Sequence, residues 1–326
     1  MPERIPGIIV TCFPDADFEV RLRAIAMEMS PVLVVDNSAD VPTAARLAAI
    51  CGRCGCQLLI NAGNLGIAAA LNRGFREVER LGSVWAIALD QDSTSEPGLV
   101  RCLLECARRF STTKAPAVVG ANWFDEGRPD HPSLHLKAHP ACRLLFQRVP
   151  AHGDLADVTC VINSGSLFHL PTWRALGGFD DSLFLDLVDT DYCLRARQAG
   201  HRVCVSACAR LRHHRGSKRP VEFLGRTWWP AFMPPRRLYY LFRNRLLLFR
   251  KYAWRAPHWA AFEIAFALKI IAEILFLEDH TFVKLGACLR GTRAGVLGRR
   301  GAPIASAGPA SSVPGAGAPP GNRRSG

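Results

Sequence analysis

Between residues 5 and 120 the chain alternates short apolar runs with helical patterns, and this rhythm restricts its fold more than any other feature. Ile8-Ile9-Val10-Thr11-Cys12-Phe13, Val32-Leu33-Val34-Val35-Asp36-Asn37, Gln57 to Asn61, Val84 to Leu89 and Ala117-Val118-Val119-Gly120 read as strands. Residues 15–29, 42–53, 65–81 and about 96–110 read as helices. Apolar runs without polar alternation are strands covered on both faces. The β-α-β order therefore predicts an α/β fold, a mainly parallel sheet with helices on both sides. Residues 121–156 are poor in pattern. Strand 157–163, helices 171–177 and 188–199 and strand 202–209 follow, giving a mixed second half. A Pro- and Trp-rich stretch at 228–235 marks a boundary, and two helical segments, about 236–254 and 258–278, flank Pro257. The expected organisation is an α/β domain over 1–227, a basic amphipathic helical region over 228–300, and a Gly/Pro/Ala/Ser-rich disordered tail over 301–326.

The strand Val84–Leu89 runs into Asp90-Gln91-Asp92. Ligands bind at the carboxyl edge of open α/β sheets. Alternate residues of an extended segment share a direction, so both carboxylates can address one small region. Hard oxygen donors suit Mg²⁺ or Mn²⁺ bridging to substrate phosphates. An Asp-rich turn is the plain alternative, since Ser93, Thr94, Ser95, Glu96 and Pro97 follow.

Four further clusters lie in order along the chain. Thr11-Cys12-Phe13 and Asp36-Asn37-Ser38 end adjacent strands. A carboxylate there accepts hydrogen bonds from a base or ribose, and the Phe13 ring can pack on a base. Asp-Asn-Ser is also ordinary turn chemistry. Asn61-Ala62-Gly63-Asn64-Leu65-Gly66 opens a helix, and backbone N–H groups at such a start favour phosphate; Asn64 can equally be an N-cap. Asn72 and Gly74 inside that helix cost propensity and call for close packing. Asp186, Asp189 and Asp191 gather near a helix N-terminus, where an anion is favoured. Asp189 there can act as a general base toward a hydroxyl or as a cap. His213-His214 follows a strand and can complete a carboxylate–phosphate metal site or form a basic surface loop.

Cationic residues exceed acidic ones by 13. This points to a nucleotide, a nucleic acid or an anionic membrane as partner. No GxGxxG finger or P-loop lysine motif occurs, which excludes a Rossmann dehydrogenase or Walker ATPase. The twelve cysteines are scattered, and reduced thiols are expected. Cys51, Cys54 and Cys56 lack the second pair of a tetrahedral zinc site. Met1 to Pro6 carries no cationic lead into an apolar run, so no signal peptide is expected. Trp259–Leu277 holds Glu263, Lys269 and Glu273 and makes a poor spanning helix.

Taken in order, these pieces resemble the family 2 glycosyltransferases of the GT-A fold, in their bacterial rhamnosyltransferase-like branch. Val10–Phe13, Val34–Ser38, Asn61–Gly66, Leu89–Ser93, Asn163–Ser166 and Leu176–Asp180 match. So do Leu183 through Arg195, Leu211–His213 with Gly216, and Tyr239-Tyr240-Leu241-Phe242-Arg243-Asn244. The resemblance covers roughly 10–250. It implies metal-dependent, inverting transfer of a hexose from a nucleotide-sugar donor, with dTDP-rhamnose favoured. The acceptor it implies is a saccharide or lipid-linked saccharide in cell-surface polysaccharide synthesis. By that match Thr11 and Asp36 hold the nucleoside, and Asp90 contacts ribose or diphosphate. Asp92 and His213 bind the divalent cation, and Asp189 is the base. Val188 stands where many relatives have Glu, which removes an acceptor contact. The His213-His214 pair leaves the metal-binding histidine open.

The competing readings are a nucleotidyltransferase and a basic nucleic-acid-binding protein. The first needs a glycine-rich basic loop after strand one, where this chain has Phe13-Pro14-Asp15-Ala16-Asp17. The second lacks a recognised binding motif, and no nucleic-acid partner is expected. At 100° per residue, Arg236, Arg237, Arg243, Arg250, Lys251 and Arg255 share an arc of about 140°. Glu263, Lys269 and Glu273 share about 120° of the next helix, leaving the rest apolar. This pattern predicts an interfacial amphipathic region with the charges at the headgroups, and with the resemblance it implies a cytoplasmic protein held peripherally on the inner face of the bacterial cytoplasmic membrane.

Overall fold

The structure is a computed structural model that describes residues 4–111, 114–125, 133–137, 143–213, 220–223 and 225–302, with the side chains of Asp125 and His213 excepted. Its first part alternates β1 (Gly7–Thr11), α1 (Phe18–Glu28), β2 (Val32–Asp36), α2 (Val41–Cys54), β3 (Gln57–Ile60), α3 (Gly66–Arg80), β4 (Trp85–Asp90), β5 (Ser93–Ser95), α4 (Leu99–Phe110) and β6 (Val118–Asp125). Then come β7 (Leu134–Leu136), β8 (Phe146–Arg148), β9 (Ser166–His169), α5 (Leu170–Ala175), α6 (Val188–Gln198), β10 (Val203–His213), β11 (Val221–Phe223) and β12 (Arg226–Trp228). Three helices close the described chain: α7 (Pro235–Tyr252), α8 (Pro257–Phe276) and α9 (Thr281–Val296).

Eight strands form one mixed sheet in the order β3-β2-β1-β4-β9-β6-β10-β5. β3, β2, β1 and β4 are parallel, β9 runs against both β4 and β6, and β5 runs against β10. Every residue of β1 and β2 is buried, as their unbroken apolar runs require. One core packs α3, α5, α6 and part of α7 on one face, and a second packs α1, α2 and α4 on the other. The chain runs from β1 outward to β3, then returns to place β4 on the other side of β1. That reversal opens a crevice at the carboxyl ends of β1 and β4.

Three expectations are corrected. Residues 157–163 form no strand. Val158 instead makes single backbone contacts with Val203 and Lys137, and the strand is β9, entered through Gly165 at φ +72°. Cys102 and Cys208 form a disulfide between α4 and β10 rather than remaining thiols. The basic arc of α7 is a solvent face only in part: Arg236, Arg237, Arg250 and Arg255 are exposed, but Arg243 is 1% exposed and Lys251 pairs with Asp180 and Asp191. Likewise Glu263 and Glu273 of α8 are buried, with Glu263 paired to Arg245 and Glu273 to Lys269. Glu263 finds its partner on α7, and Glu273 finds one on α8 itself. Of the expected tail, Gly301 is tied to Ser182 and Arg243, and residues 303–326 lie outside the described residues.

Candidate functional site

Parallel register sets the donor side of the crevice. Thr11 lies opposite Asp36, and Val10 opposite Asp90, so three strand ends meet at one edge. Thr11 Oγ1 donates to Asp36 Oδ1 at 3.0 Å, and Ser38 adds its Oγ at 2.6 Å and its N–H at 3.1 Å. These donors fix the carboxylate while its buried Oδ2 makes no hydrogen bond within the protein. A buried acceptor left so is costly unless a ligand donates to it. Phe13 follows with a positive φ of 50° and a half-exposed ring, its N–H held by Ser38 Oγ at 2.8 Å.

The glycine-rich start of α3 borders this edge. Asn64 Oδ1 accepts the Gly66 N–H at 3.0 Å, and Asn37 Nδ2 donates to the Gly66 carbonyl at 3.0 Å. Gly66 has φ +85°, and a Cβ there would collide with the Phe184 carbonyl. Asn72 binds the Phe179 N–H and carbonyl, Asp181 and the Trp173 indole, while Gly74 lies against Ile8. Close packing thus accounts for both poor helix formers.

Sequence reasoning passed over Gln91 and Ser164. Gln91 Oε1 accepts the Cys12 N–H at 2.7 Å, and Ser164 Oγ accepts the Asp90 N–H at 3.0 Å. Ser164 also bonds Ser93 at 2.7 Å. The turn carrying Asp90 and Asp92 is therefore fixed from two sides. Burial and the neighbouring Asp92 charge push the Asp90 carboxyl up to about 7, opposed by Arg237. Two acidic groups crowded in this way suit a divalent cation, which would offset their repulsion. Among the described residues no three metal-ligating side chains converge. Mg²⁺ is commonly held by one or two carboxylates plus phosphates and water, so this donor set fits it. The His213 backbone ends β10 opposite Ser93, one residue past Asp92. Its side chain, and all of His214, lie outside the described residues.

Asp189 sits in the first turn of α6, half-buried, in the loop-to-helix entry 184–189. Asp191, two residues on, is differently placed. It is fully buried and bound by Arg195 Nε at 2.8 Å, Lys251 Nζ at 3.2 Å and the Tyr252 hydroxyl at 2.7 Å. Asp186 pairs with Arg237 at 2.9 Å. The Arg237 guanidinium is raised in pKa by Asp186 first, with Asp90 and Asp189 adding to it. One cation from α7 thus feels carboxylates from both sides of the crevice.

The entry loop is strained. Phe184, Asp186 and Leu187 all adopt φ between 59° and 65° without being glycine. Such residues cost on the order of 1–3 kcal/mol each unless surroundings impose them. The Phe184 ring stacks on Tyr240 at 4.8 Å, and its carbonyl accepts the Ile67 N–H at 2.7 Å.

No family model matches the chain. It is 28% identical to the dTDP-rhamnosyl transferase RfbF of Shigella flexneri over 256 residues, 77% of this chain and 81% of that one. The chain is a glycosyltransferase of the GT-A fold. Its architecture is shared with TarS 1–349 of S. aureus in complex with UDP-GlcNAc, at a TM-score of 0.51 and 12% identity over 87% of this chain and 79% of that one. It is shared also with the mannosyltransferase PcManGT of Pyrobaculum calidifontis in complex with GDP-Man and Mn²⁺, at a TM-score of 0.52 and 13% identity over 90% and 87%. At these identities the two structures speak to fold alone.

Proposed function

We propose that the protein transfers rhamnose from dTDP-rhamnose, with inversion, to a saccharide or lipid-linked saccharide acceptor in cell-surface polysaccharide synthesis. The observation that carries this is that the Thr11–Asp36 pair and the Asp90–Asp92 turn share one sheet edge, while the Arg237 guanidinium paired with Asp186 feels the charges of both Asp90 and Asp189. The likeness to a dTDP-rhamnosyl transferase favours the donor. In this reading Asp36 Oδ2 accepts a hydrogen bond from the base or ribose, and Phe13 packs on the base. Asn64 and Gly66 border the nucleotide sugar through the turn they form, the Gly66 N–H being taken by Asn64 Oδ1 rather than left for phosphate, and Asp90 contacts ribose or diphosphate. Asp92 and His213 hold Mg²⁺ or Mn²⁺, which supplies Lewis-acid charge neutralisation to the diphosphate when bound. Asp189 takes the proton of the acceptor hydroxyl as it attacks the anomeric carbon from the opposite face. A single carboxylate suffices, unlike the paired carboxylates of glycosidases. Calorimetry of dTDP-rhamnose with Mn²⁺ and with EDTA tests the metal. Binding should weaken in EDTA and in Asp92→Ala, and equally tight binding in both solutions would remove the metal from the reading.

We also place the protein peripherally on an anionic membrane, through α8 and α9. No helix among the described residues is long and apolar enough to cross a bilayer. Ile264, Leu268, Leu275 and Phe276 of α8 and Phe282, Val283, Leu289 and Val296 of α9 stand exposed. Arg290, Arg293 and Arg299 border them, also exposed. A rim with more cations than anions, Asp279 being its exposed acidic member, attracts anionic lipid. Cosedimentation with anionic and neutral liposomes tests it: salt-sensitive preference for anionic vesicles is expected, and equal partition would sink it.

A further inference from the structure

The loop that delivers Asp189 is held from a distance. Arg243 and Asn244 of α7 are 1% and 0% exposed, and both point at the carbonyls of residues 182–186. Arg243 Nε donates to Asn244 Oδ1 at 2.9 Å, which turns the amide nitrogen toward the loop. Asn244 Nδ2 then lies 2.9 Å from the Leu183 carbonyl, 2.6 Å from that of Leu185 and 2.9 Å from that of Asp186. Arg243 Nη2 donates to the carbonyls of Leu183 at 2.7 Å and Ser182 at 3.3 Å. Arg237, two helical turns earlier, grips the Asp186 side chain. These contacts surround the residues with left-handed backbone, Phe184, Asp186 and Leu187, just before Asp189.

We propose that Arg243 and Asn244 are positioning residues: by clamping the left-handed loop 182–187 they set where the Asp189 carboxylate stands in the crevice. The proposal rests on the reading of Asp189 as base. Left-handed conformations of non-glycine residues persist only where the surroundings over-determine them. An amide facing three carbonyls and a guanidinium facing two do so here. A carboxylate in place of the amide reverses the interaction, because it offers acceptors to acceptors. The donor side is built by β1, β2 and α3; α3 meets the loop through the Ile67 N–H on the Phe184 carbonyl, the one carbonyl of 182–186 that the clamp does not bond.

The test is a double-mutant cycle on the full chain with Asn244→Asp, Asp189→Asn and the pair, read as kcat and as calorimetric affinity for dTDP. Misplacement of a reacting group by about 1 Å costs on the order of 10²-fold in rate. Asn244→Asp should therefore lower kcat about 10²-fold while dTDP affinity stays within about threefold. In the Asp189→Asn background the same change should cost less than about threefold, since groups acting as a unit are non-additive. Thermal melting reports folding, and Asn244→Ser, which keeps one donor, replaces Asn244→Asp if that variant does not fold. A full loss persisting without Asp189, a matching loss of dTDP affinity, or a near-normal kcat would overturn the clamp. Near-normal transfer by Asp189→Asn alone would instead overturn the base reading beneath it.

Discussion

The two sides of the crevice are built differently. On the side read as the donor site, Thr11, Asp36 and Asp90 stand at strand ends, and Asp36 is held by Thr11 and Ser38 at the same edge. On the side read as the base site, Asp189 follows a strained loop whose carbonyls are held by side chains about 60 positions later in the chain. Sheet register alone places the first side. The second depends on a helix that sequence would assign to a separate region. A donor site of this kind keeps its backbone placement when a single side chain is lost, whereas the base site depends on the packing of α7.

The largest expected effect sharpens that contrast. Asp189→Asn should reduce kcat about 10²- to 10⁴-fold, the usual worth of a positioned base, with donor affinity unchanged. Comparable loss of dTDP affinity, measured by calorimetry, would show that the two sides are not separable. On the donor side, Asp36→Asn should weaken dTDP-rhamnose binding about 10- to 100-fold, as removal of a hydrogen bond to a charged group does. At saturating donor, kcat should stay within a few-fold; a collapse of kcat with intact binding would reverse the assignment.

A smaller effect probes the support behind the base side. A Cβ at Gly291 of α9 would press on the Tyr239 carbonyl of α7. Gly291→Ala should cost about 1–3 kcal/mol by overpacking. The melting temperature should fall, and transfer activity should fall more than dTDP affinity. Loss of affinity first would place α7 on the donor side. The smallest effect concerns the outer face. Phe282→Asp with Leu289→Asp should reduce partition onto anionic liposomes and leave turnover of a soluble acceptor unchanged. Undiminished partition would move the membrane contact elsewhere.

Much of the donor side was legible because buried parallel strands leave continuous apolar runs, and their ends carry polar residues in fixed order. The α6 entry was legible through its acidic cluster, but which carboxylate is available was not. That depends on Lys251 and Tyr252, which close on Asp191 from α7. The arc of cations on α7 was real, yet a helical wheel gives a direction and not a partner. Arg243 faces the loop and Arg237 faces Asp186. Helix α9 escaped notice because Gly286, Gly291 and Gly295 lower helix propensity. At Gly295 a Cβ would stand 2.6 Å from the Arg243 carbonyl oxygen, so the glycine allows α9 to approach α7. The His213 side chain, which would complete the metal-binding set, lies outside the described residues.

Saturation-transfer NMR with a panel of sugar nucleotides and Mg²⁺ tests the central claim most directly. Transfer to the base, ribose and sugar protons of dTDP-rhamnose is expected, stronger than for other donors and reduced in Asp36→Asn. Absence of transfer to every sugar nucleotide, in a sample that retains its fold, would contradict it.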